Sequence, residues 1–175
     1  IPKLKAAEGE NLSVAYHNDW ISPSTQSVKL TVLNVLQTSK IIATDVDFSD
    51  DSLLDILSFS SVLVRPPFVL IFDQFEEFFR YQGASPEFQT FIDQLITLIT
   101  SPQLALSLVI SMREDFALEL NAFKPKLPTI LFENFYRLEK LGRDTALMAI
   151  EMPVKQLGFN YEPELLKLLT NDLLS

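Results

Sequence analysis

The chain has 175 residues, of which 47% are hydrophobic and 21% are charged, and its formal net charge is −9. This composition is typical of a globular domain with a sizeable core. With no cysteine and a single histidine, the chain excludes a disulfide scaffold, a cysteine-ligated zinc site and a multi-histidine metal site. The acidic balance, the lack of a basic stripe and the short apolar runs lead us to expect no direct nucleic-acid binding and no membrane association, and the lack of cysteine fits a cytoplasmic location.

Strands and helices alternate along the chain, which predicts an α/β fold with a parallel sheet and flanking helices. The two continuous apolar runs, near the middle of the chain, are typical of strands buried on both faces. The predicted strands are Leu12–Tyr16, Phe68–Phe72, Leu104–Met112 and a last one within Ile130–Leu141. The predicted helices are Thr25–Ser39, Leu53–Leu63, residues 86–100, Phe116–Phe123, Thr145–Leu157 and Leu165–Leu174. The last two helices look like the start of a second, helical piece.

Three carboxylates follow the strand Phe68–Phe72: Asp73 comes directly after it, and Glu76 and Glu77 come shortly beyond. In open parallel sheets, ligands bind beyond the carboxyl ends of the strands. Asp73 is therefore a candidate Mg²⁺ ligand beside a phosphate, although an acid that caps the next turn is the other interpretation. Glu76 and Glu77 are candidates to orient or deprotonate an attacking water, and the other interpretation is that one of them faces solvent at the start of a helix. Gln74 is a weaker candidate to position that water.

Arg113 follows the strand Leu104–Met112 and would face the same crevice as Asp73 if the two strands are parallel neighbours. A cation at that place would read a terminal phosphate and stabilise the charge that moves during its transfer. The other interpretation is a structural salt bridge, with Glu114, Asp115 or Glu76 as the partner.

Three further residues have two interpretations each. His17 and Trp20 follow the first strand and would line a base or ribose pocket, but packing and turn roles are the favoured interpretation. Pro153 lies within a helical pattern and is expected to kink or break that helix. It is a candidate hinge for a helical lid, or it only separates two helices.

The sequence Asp-Gln-Phe-Glu-Glu-Phe-Phe at 73–79, placed after an apolar strand, resembles the Walker B motif of the novel STAND-type P-loop NTPases. These are signalling ATPases related to AAA+ and NACHT proteins. Val109–Phe116 resembles the sensor strand of the family. Leu138–Leu141 and Ala146–Pro153 are similar to its Leu-x-x-Leu segment and its Ala-Ile-x-x-Pro motif, and Ile1–Leu4 resembles the end of the helix that follows Walker A.

The resemblance implies a switch whose intact parent binds ATP and Mg²⁺, closes a helical lid, oligomerises and hydrolyses ATP slowly. It implies that Asp73 holds Mg²⁺, that Glu76 and Glu77 polarise water, and that Arg113 senses the γ-phosphate. Residues 1–141 would be a partial P-loop NTPase core, and residues 142–175 would be the start of the lid. The expected partners are ATP, further domains of the same protein and other copies of the chain.

The chain departs from the family pattern because it contains no Gly-x-x-x-x-Gly-Lys-Ser/Thr sequence, the Walker A loop that grips phosphates. We therefore expect a fragment that begins just after Walker A, binds neither ATP nor Mg²⁺ by itself, is inactive alone and self-associates through exposed apolar surface. Two alternatives stay open. One is a nucleotide-free α/β protein-interaction module, and the other is a metal-dependent phosphatase or nuclease, for which the sequence offers few further ligands.

Overall fold

The computed structural model of the chain describes residues 12–63, 68–127, 134–139 and 142–174. The chain divides into two compact units, residues 1–133 and residues 134–175. The predicted helix end at Ile1–Leu4 and half of the predicted strand range Ile130–Leu141 lie outside the described residues, and residues 134–139 contain no strand. The division into an NTPase core and a lid stays a prediction, since compactness does not show what a unit does.

The first unit is built on a sheet of three parallel strands in the order β1, β2, β3. The strands are β1 Ser13–His17, β2 Phe68–Phe72 and β3 Leu106–Ile110. The register pairs His17 with Phe72 and Phe72 with Ile110, so the three carboxyl ends lie level at one edge. The residues that follow these strands therefore share one edge of the sheet.

Helices connect the strands in the way that parallel strands require. Between β1 and β2 lie α1 Ser24–Thr38 and α2 Leu53–Leu63, and between β2 and β3 lie α3 Glu76–Gln82 and α4 Glu87–Thr100. A 3-10 helix, Glu114–Phe123, follows β3. The start of α4 illustrates the sequence logic, because the hydroxyl of Ser85 accepts the N–H of Glu87 at 3.2 Å just before the first turn.

The predicted α/β fold with parallel strands and flanking helices is confirmed, but the prediction is wrong for one helix and one strand of the first unit. The helix α3 was not predicted, because its seven residues begin shortly after a strand and show no long helical period. The strand β3 is not buried on both faces: Ser107 and Val109 are exposed, while Leu106, Leu108 and Ile110 are half-buried. Among the described strands β3 has β2 as its single neighbour, so it is an edge strand.

A cluster of aromatic rings forms the core next to the carboxyl end of β2. The fully buried Trp20 lies edge-on to Phe72 and Phe75, with ring centroids 5.1 and 5.0 Å apart. Phe78 and Phe91 pack around the same indole at 5.9 and 6.2 Å. Edge-to-face pairs of this kind stabilise by about 0.5–1.5 kcal/mol each beyond their burial. The cluster therefore fixes the loop after β1 against the turn after β2.

The second unit contains two helices that pack on each other, α5 Arg143–Gln156 and α6 Pro163–Leu174. The helix α5 continues through Pro153, so of the two effects predicted for this residue, a kink or a break, the break is wrong. A proline removes only one hydrogen bond of a helix, and the last turn is still closed by the N–H of Leu157, which donates to the carbonyl of Pro153 at 3.1 Å. Within the part of the chain that the structure describes, no helix has the length and apolar character needed to cross a membrane.

Candidate functional site

The turn after β2 is held by backbone bonds to both neighbouring strand ends. The N–H of Asp73 donates to the carbonyl of His17 at 2.9 Å, and the indole N–H of Trp20 donates to the carbonyl of Asp73 at 2.8 Å. Gln74 then takes a left-handed conformation with φ 52°, which is uncommon for a residue other than glycine. This conformation returns the chain to the core, where the N–H of Phe75 donates to the carbonyl of Ser111 at 3.0 Å.

The carboxylate of Asp73 accepts hydrogen bonds from two hydroxyl groups, one on β1 and one just after β3. The Tyr16 hydroxyl, from β1, donates to its Oδ2 at 2.6 Å. This hydrogen bond, together with one from the Ser111 hydroxyl and one from the backbone N–H of Gln74, lowers the pKa of Asp73 below its ordinary value. The same contact raises the pKa of Tyr16, because the anion beside it disfavours loss of the phenolic proton. Asp73 is thus an ionised, partly exposed carboxylate at neutral pH.

Glu76 connects the turn after β2 to the segment after β3. Its side chain is buried, with 6% of the residue exposed. Its Oε2 accepts the backbone N–H of Arg113 at 3.2 Å. The backbone of Ser111 adds two more ties, since its N–H donates to Phe72 at 2.8 Å and its carbonyl accepts from Phe75. The two segments therefore form one hydrogen-bonded unit.

Glu77 and Gln74 lie nearer the solvent. The Oε1 of Glu77 accepts from Nη1 of Arg80 at 2.7 Å, one turn along α3, and the side chain of Gln74 is exposed. The three carboxylates after β2 thus have three separate partners. Nowhere in the described residues do three or more acidic, histidine or cysteine side chains gather in a group suited to a metal ion. The phosphatase or nuclease alternative, which needs a fuller ligand set, gains no support.

Arg113 makes the salt bridge that was the other interpretation of this residue. Its Nε and Nη2 donate to the two carboxylate oxygens of Asp115 at 3.1 and 2.8 Å. The guanidinium also lies 6.0 Å from the ring centroid of Phe116. Both members of the pair are largely exposed, so the guanidinium is held at the surface by a partner that a stronger anion can replace.

Comparison with known proteins identifies the family. The family model of Novel STAND NTPase 1 matches residues 1–175. The chain therefore belongs to the novel STAND NTPase 1 family. A comparison with curated proteins finds no match.

One solved structure with a similar fold is the ORC2 protein of Aeropyrum pernix in its ADP form, at 15% sequence identity and a TM-score of 0.63. The match covers 97% of this chain and 44% of that chain, so the present chain spans less than half of the length of ORC2. At this identity the likeness shows the fold alone. The predicted STAND-type NTPase is confirmed, and membership of this family supports a nucleotide-switch module. The roles of single residues stay predictions.

The structure places most of the residues that were predicted to act in the STAND switch at one edge of the sheet. Asp73, Gln74, Glu76 and Glu77 follow β2, and Arg113 follows the neighbouring strand β3, so these five share one edge of the sheet. Pro153 belongs to the second unit.

His17 and Trp20 have packing roles. His17 is buried, its Nδ1 lies 2.9 Å from the Thr31 hydroxyl, and burial lowers the pKa of its imidazole. Trp20 is enclosed by the aromatic cluster. These contacts agree with the favoured interpretation of both residues.

Two residues of the site, Tyr16 and Ser111, were not singled out from the sequence. Both stand at a strand end: Tyr16 is the last but one residue of β1, and Ser111 directly follows β3. A rule that examines every polar residue at the carboxyl ends of parallel strands would have found them. What no such rule gives is the direction in which the two hydroxyls point.

We predict that Glu76 and Glu77 differ in their effect on stability. Glu76→Ala should lower the free energy of unfolding by about 1–3 kcal/mol, because it leaves the part-buried N–H of Arg113 without its acceptor. Glu77→Ala should lower it by about 1 kcal/mol or less, because it removes an ion pair at the surface. Both acids lie in the first turn of α3, so each variant loses a similar interaction with the helix dipole.

Urea unfolding followed by circular dichroism measures this difference. Glu76→Gln serves as the control that keeps an acceptor oxygen, and it should recover part of the loss. Equal losses in the two alanine variants would show that Glu76 does not tie the two segments together.

Proposed function

We propose that this chain supplies the Mg²⁺-binding and phosphate-sensing residues of an ATP-driven switch in the natural protein that contains it. The observation that carries the proposal is the ionised carboxylate of Asp73 at the carboxyl end of β2, with Arg113 after the neighbouring strand β3. Membership of a STAND NTPase family and a fold similar to that of ORC2 in its ADP form support a nucleotide as the ligand.

Asp73 fits Mg²⁺ although no group of three or more candidate metal ligands is found among the described residues. Protein sites for Mg²⁺ commonly use one or two carboxylates, and water and substrate phosphates supply the other oxygen ligands. When bound, the ion would neutralise charge on the phosphates of ATP. The chain's own part is to keep one anion in a fixed direction, which the hydroxyl of Tyr16 and the backbone bonds of Asp73 favour.

In this proposal Glu76 and Glu77 have different roles, one in linking two segments and one in polarising water. Glu76 is committed to the N–H of Arg113, so it links the metal-binding turn to the sensing residue. Glu77 is held by one hydrogen bond to Arg80 and is partly exposed, which leaves it free to polarise a water molecule. Gln74 is exposed beside it and would help to position that water.

Arg113 would sense the γ-phosphate by exchanging partners. Its guanidinium pairs with both oxygens of Asp115, and a phosphate offers the same bidentate geometry with more charge. The exchange would move the guanidinium while the backbone of Arg113 stays bound to Glu76.

Two further parts of the proposal concern the rest of the natural protein. Pro153 is the proposed hinge of the lid, because a proline leaves one helix carbonyl without its N–H partner and so weakens α5 at that point. The phosphate-gripping loop is not among the residues of this sequence. Other domains or copies would then complete the site, and the exposed Val109 on the edge strand β3 agrees with such a neighbour.

We predict that Asp73→Asn in the natural protein abolishes Mg²⁺-dependent ATP hydrolysis, because an amide is a far weaker ligand for Mg²⁺ than a carboxylate. Phosphate release at saturating ATP measures the effect. Asp93→Asn is the matched control, since Asp93 lies on α4 and binds Lys126 at 2.7 Å. It should keep its turnover. Unchanged turnover in Asp73→Asn would refute the assigned role.

We also predict that Asp115→Asn strengthens ATP binding about threefold, a size that the loss of one exposed ion pair permits. It does so by freeing the guanidinium of Arg113 for the phosphate. In the background of Arg113→Ala, the same change should have no effect. Titration with a fluorescent ATP derivative measures all four proteins of this cycle. An equal gain in both backgrounds would show that Arg113 does not meet the phosphate.

A nucleotide-free interaction module is the second candidate function, and one observation favours it. Each carboxylate after β2 already has a protein partner: Tyr16 for Asp73, the Arg113 backbone for Glu76 and Arg80 for Glu77. Such a network would also hold a purely structural surface. If the natural protein binds no ATP at millimolar concentration with Mg²⁺ present, this candidate replaces the switch.

A further inference from the structure

Tyr16 stands out among the residues of β1 because it is exposed while the others of the strand are buried. Its exposed fraction is 41%, so burial of its ring does little to explain its presence. Its register partner in β2 is Ile71, two residues before Asp73. The side chain therefore reaches along the sheet toward the edge where the strands end, and there its hydroxyl meets Oδ2 of Asp73 at 2.6 Å.

The charge of its hydrogen-bond donors matters for a carboxylate that is to bind a metal ion. The groups that hydrogen-bond the Asp73 carboxylate are the Tyr16 and Ser111 hydroxyls and the backbone N–H of Gln74, all of which are uncharged. A lysine or arginine in the same place would neutralise the carboxylate and compete with a cation. An uncharged donor fixes the rotation of the carboxylate and leaves its negative charge available to the cation.

We propose that Tyr16 is a positioning residue for the metal ligand, which holds the Asp73 carboxylate in the orientation that Mg²⁺ requires when ATP is bound. This inference rests on the proposed function of Asp73. Residues that hydrogen-bond a metal ligand act through the ligand, and their loss weakens metal binding or activity by about 10–100-fold. The exposed hydroxyl of Tyr16 places its effect near the lower end of that range.

The test is a Mg²⁺ titration of ATP hydrolysis in the natural protein, with Tyr16→Phe compared with the wild type. The substitution removes one oxygen atom and keeps the ring. The Mg²⁺ concentration that gives half-maximal turnover should rise about tenfold. Binding of a fluorescent ATP derivative in the presence of EDTA should stay unchanged, since the hydroxyl acts on the metal ligand and not on the nucleotide.

Tyr161→Phe is the matched control. The hydroxyl of Tyr161 donates to a carboxylate too, Oε1 of Glu151 at 2.8 Å, but it does so in the second unit. The same atom is removed from the same kind of hydrogen bond, so a general effect of losing such a bond would show in both variants. The Mg²⁺ dependence of Tyr161→Phe should equal that of the wild type.

A second measurement applies if the turnover of a variant is too low for the Mg²⁺ titration. Electron paramagnetic resonance of Mn²⁺ in the presence of a nonhydrolysable ATP analogue reports metal affinity directly, and Tyr16→Phe should weaken it by a similar factor. Equal metal affinity in Tyr16→Phe and the wild type would overturn the role of Tyr16 and leave the switch proposal standing. A wild type with no Mg²⁺-dependent nucleotide binding or turnover would overturn both.

Discussion

The site depends on the contacts that the indole of Trp20 makes. Its ring fills the aromatic cluster between Phe72 and Phe75, and its N–H holds the carbonyl of Asp73 at 2.8 Å. The amide of Gln82, at the end of α3, donates to the carbonyl of Trp20 at 3.1 Å. The loop after β1, the turn after β2 and the helix α3 are thus joined at one residue. A polar edge of the sheet keeps its geometry because it is built on a packed aromatic core.

The second constraint couples the ends of β2 and β3. Ser111 binds both Phe72 and Phe75 through its backbone, and Glu76 accepts the N–H of Arg113. The acid proposed to hold the metal and the arginine proposed to sense the phosphate therefore stand on segments that are hydrogen-bonded to each other. In a switch, this arrangement would allow one ligand to set both residues together. The exposed pair of Arg113 with Asp115 is the part that is free to change.

The sequence predicts the strands of this site and the residues that follow them, because these features depend on local patterns. The apolar run Phe68–Phe72 ends at Asp73, and the parallel pairing of β2 with β3 brings the segment that carries Arg113 to the same edge. The partners of these residues were harder to predict, because Tyr16 and Asp73 are 57 positions apart and meet through rotamer choice. The exposure of β3 depends on which strands surround it. The continuity of α5 through Pro153 was not predicted, because a proline inside a helix is expected to kink or break it.

The central claim is that Asp73 holds the metal of a nucleotide site at the carboxyl edge of the sheet. The most direct measurement is a crystal structure of the natural protein grown with Mn²⁺ and a nonhydrolysable ATP analogue, with the metal located by its anomalous signal. We predict an anomalous peak within bonding distance of the Asp73 carboxylate, which keeps its Tyr16 hydrogen bond, and an Arg113 side chain that has left Asp115 for the γ-phosphate. A metal and nucleotide bound elsewhere, with these contacts unchanged, would contradict the claim.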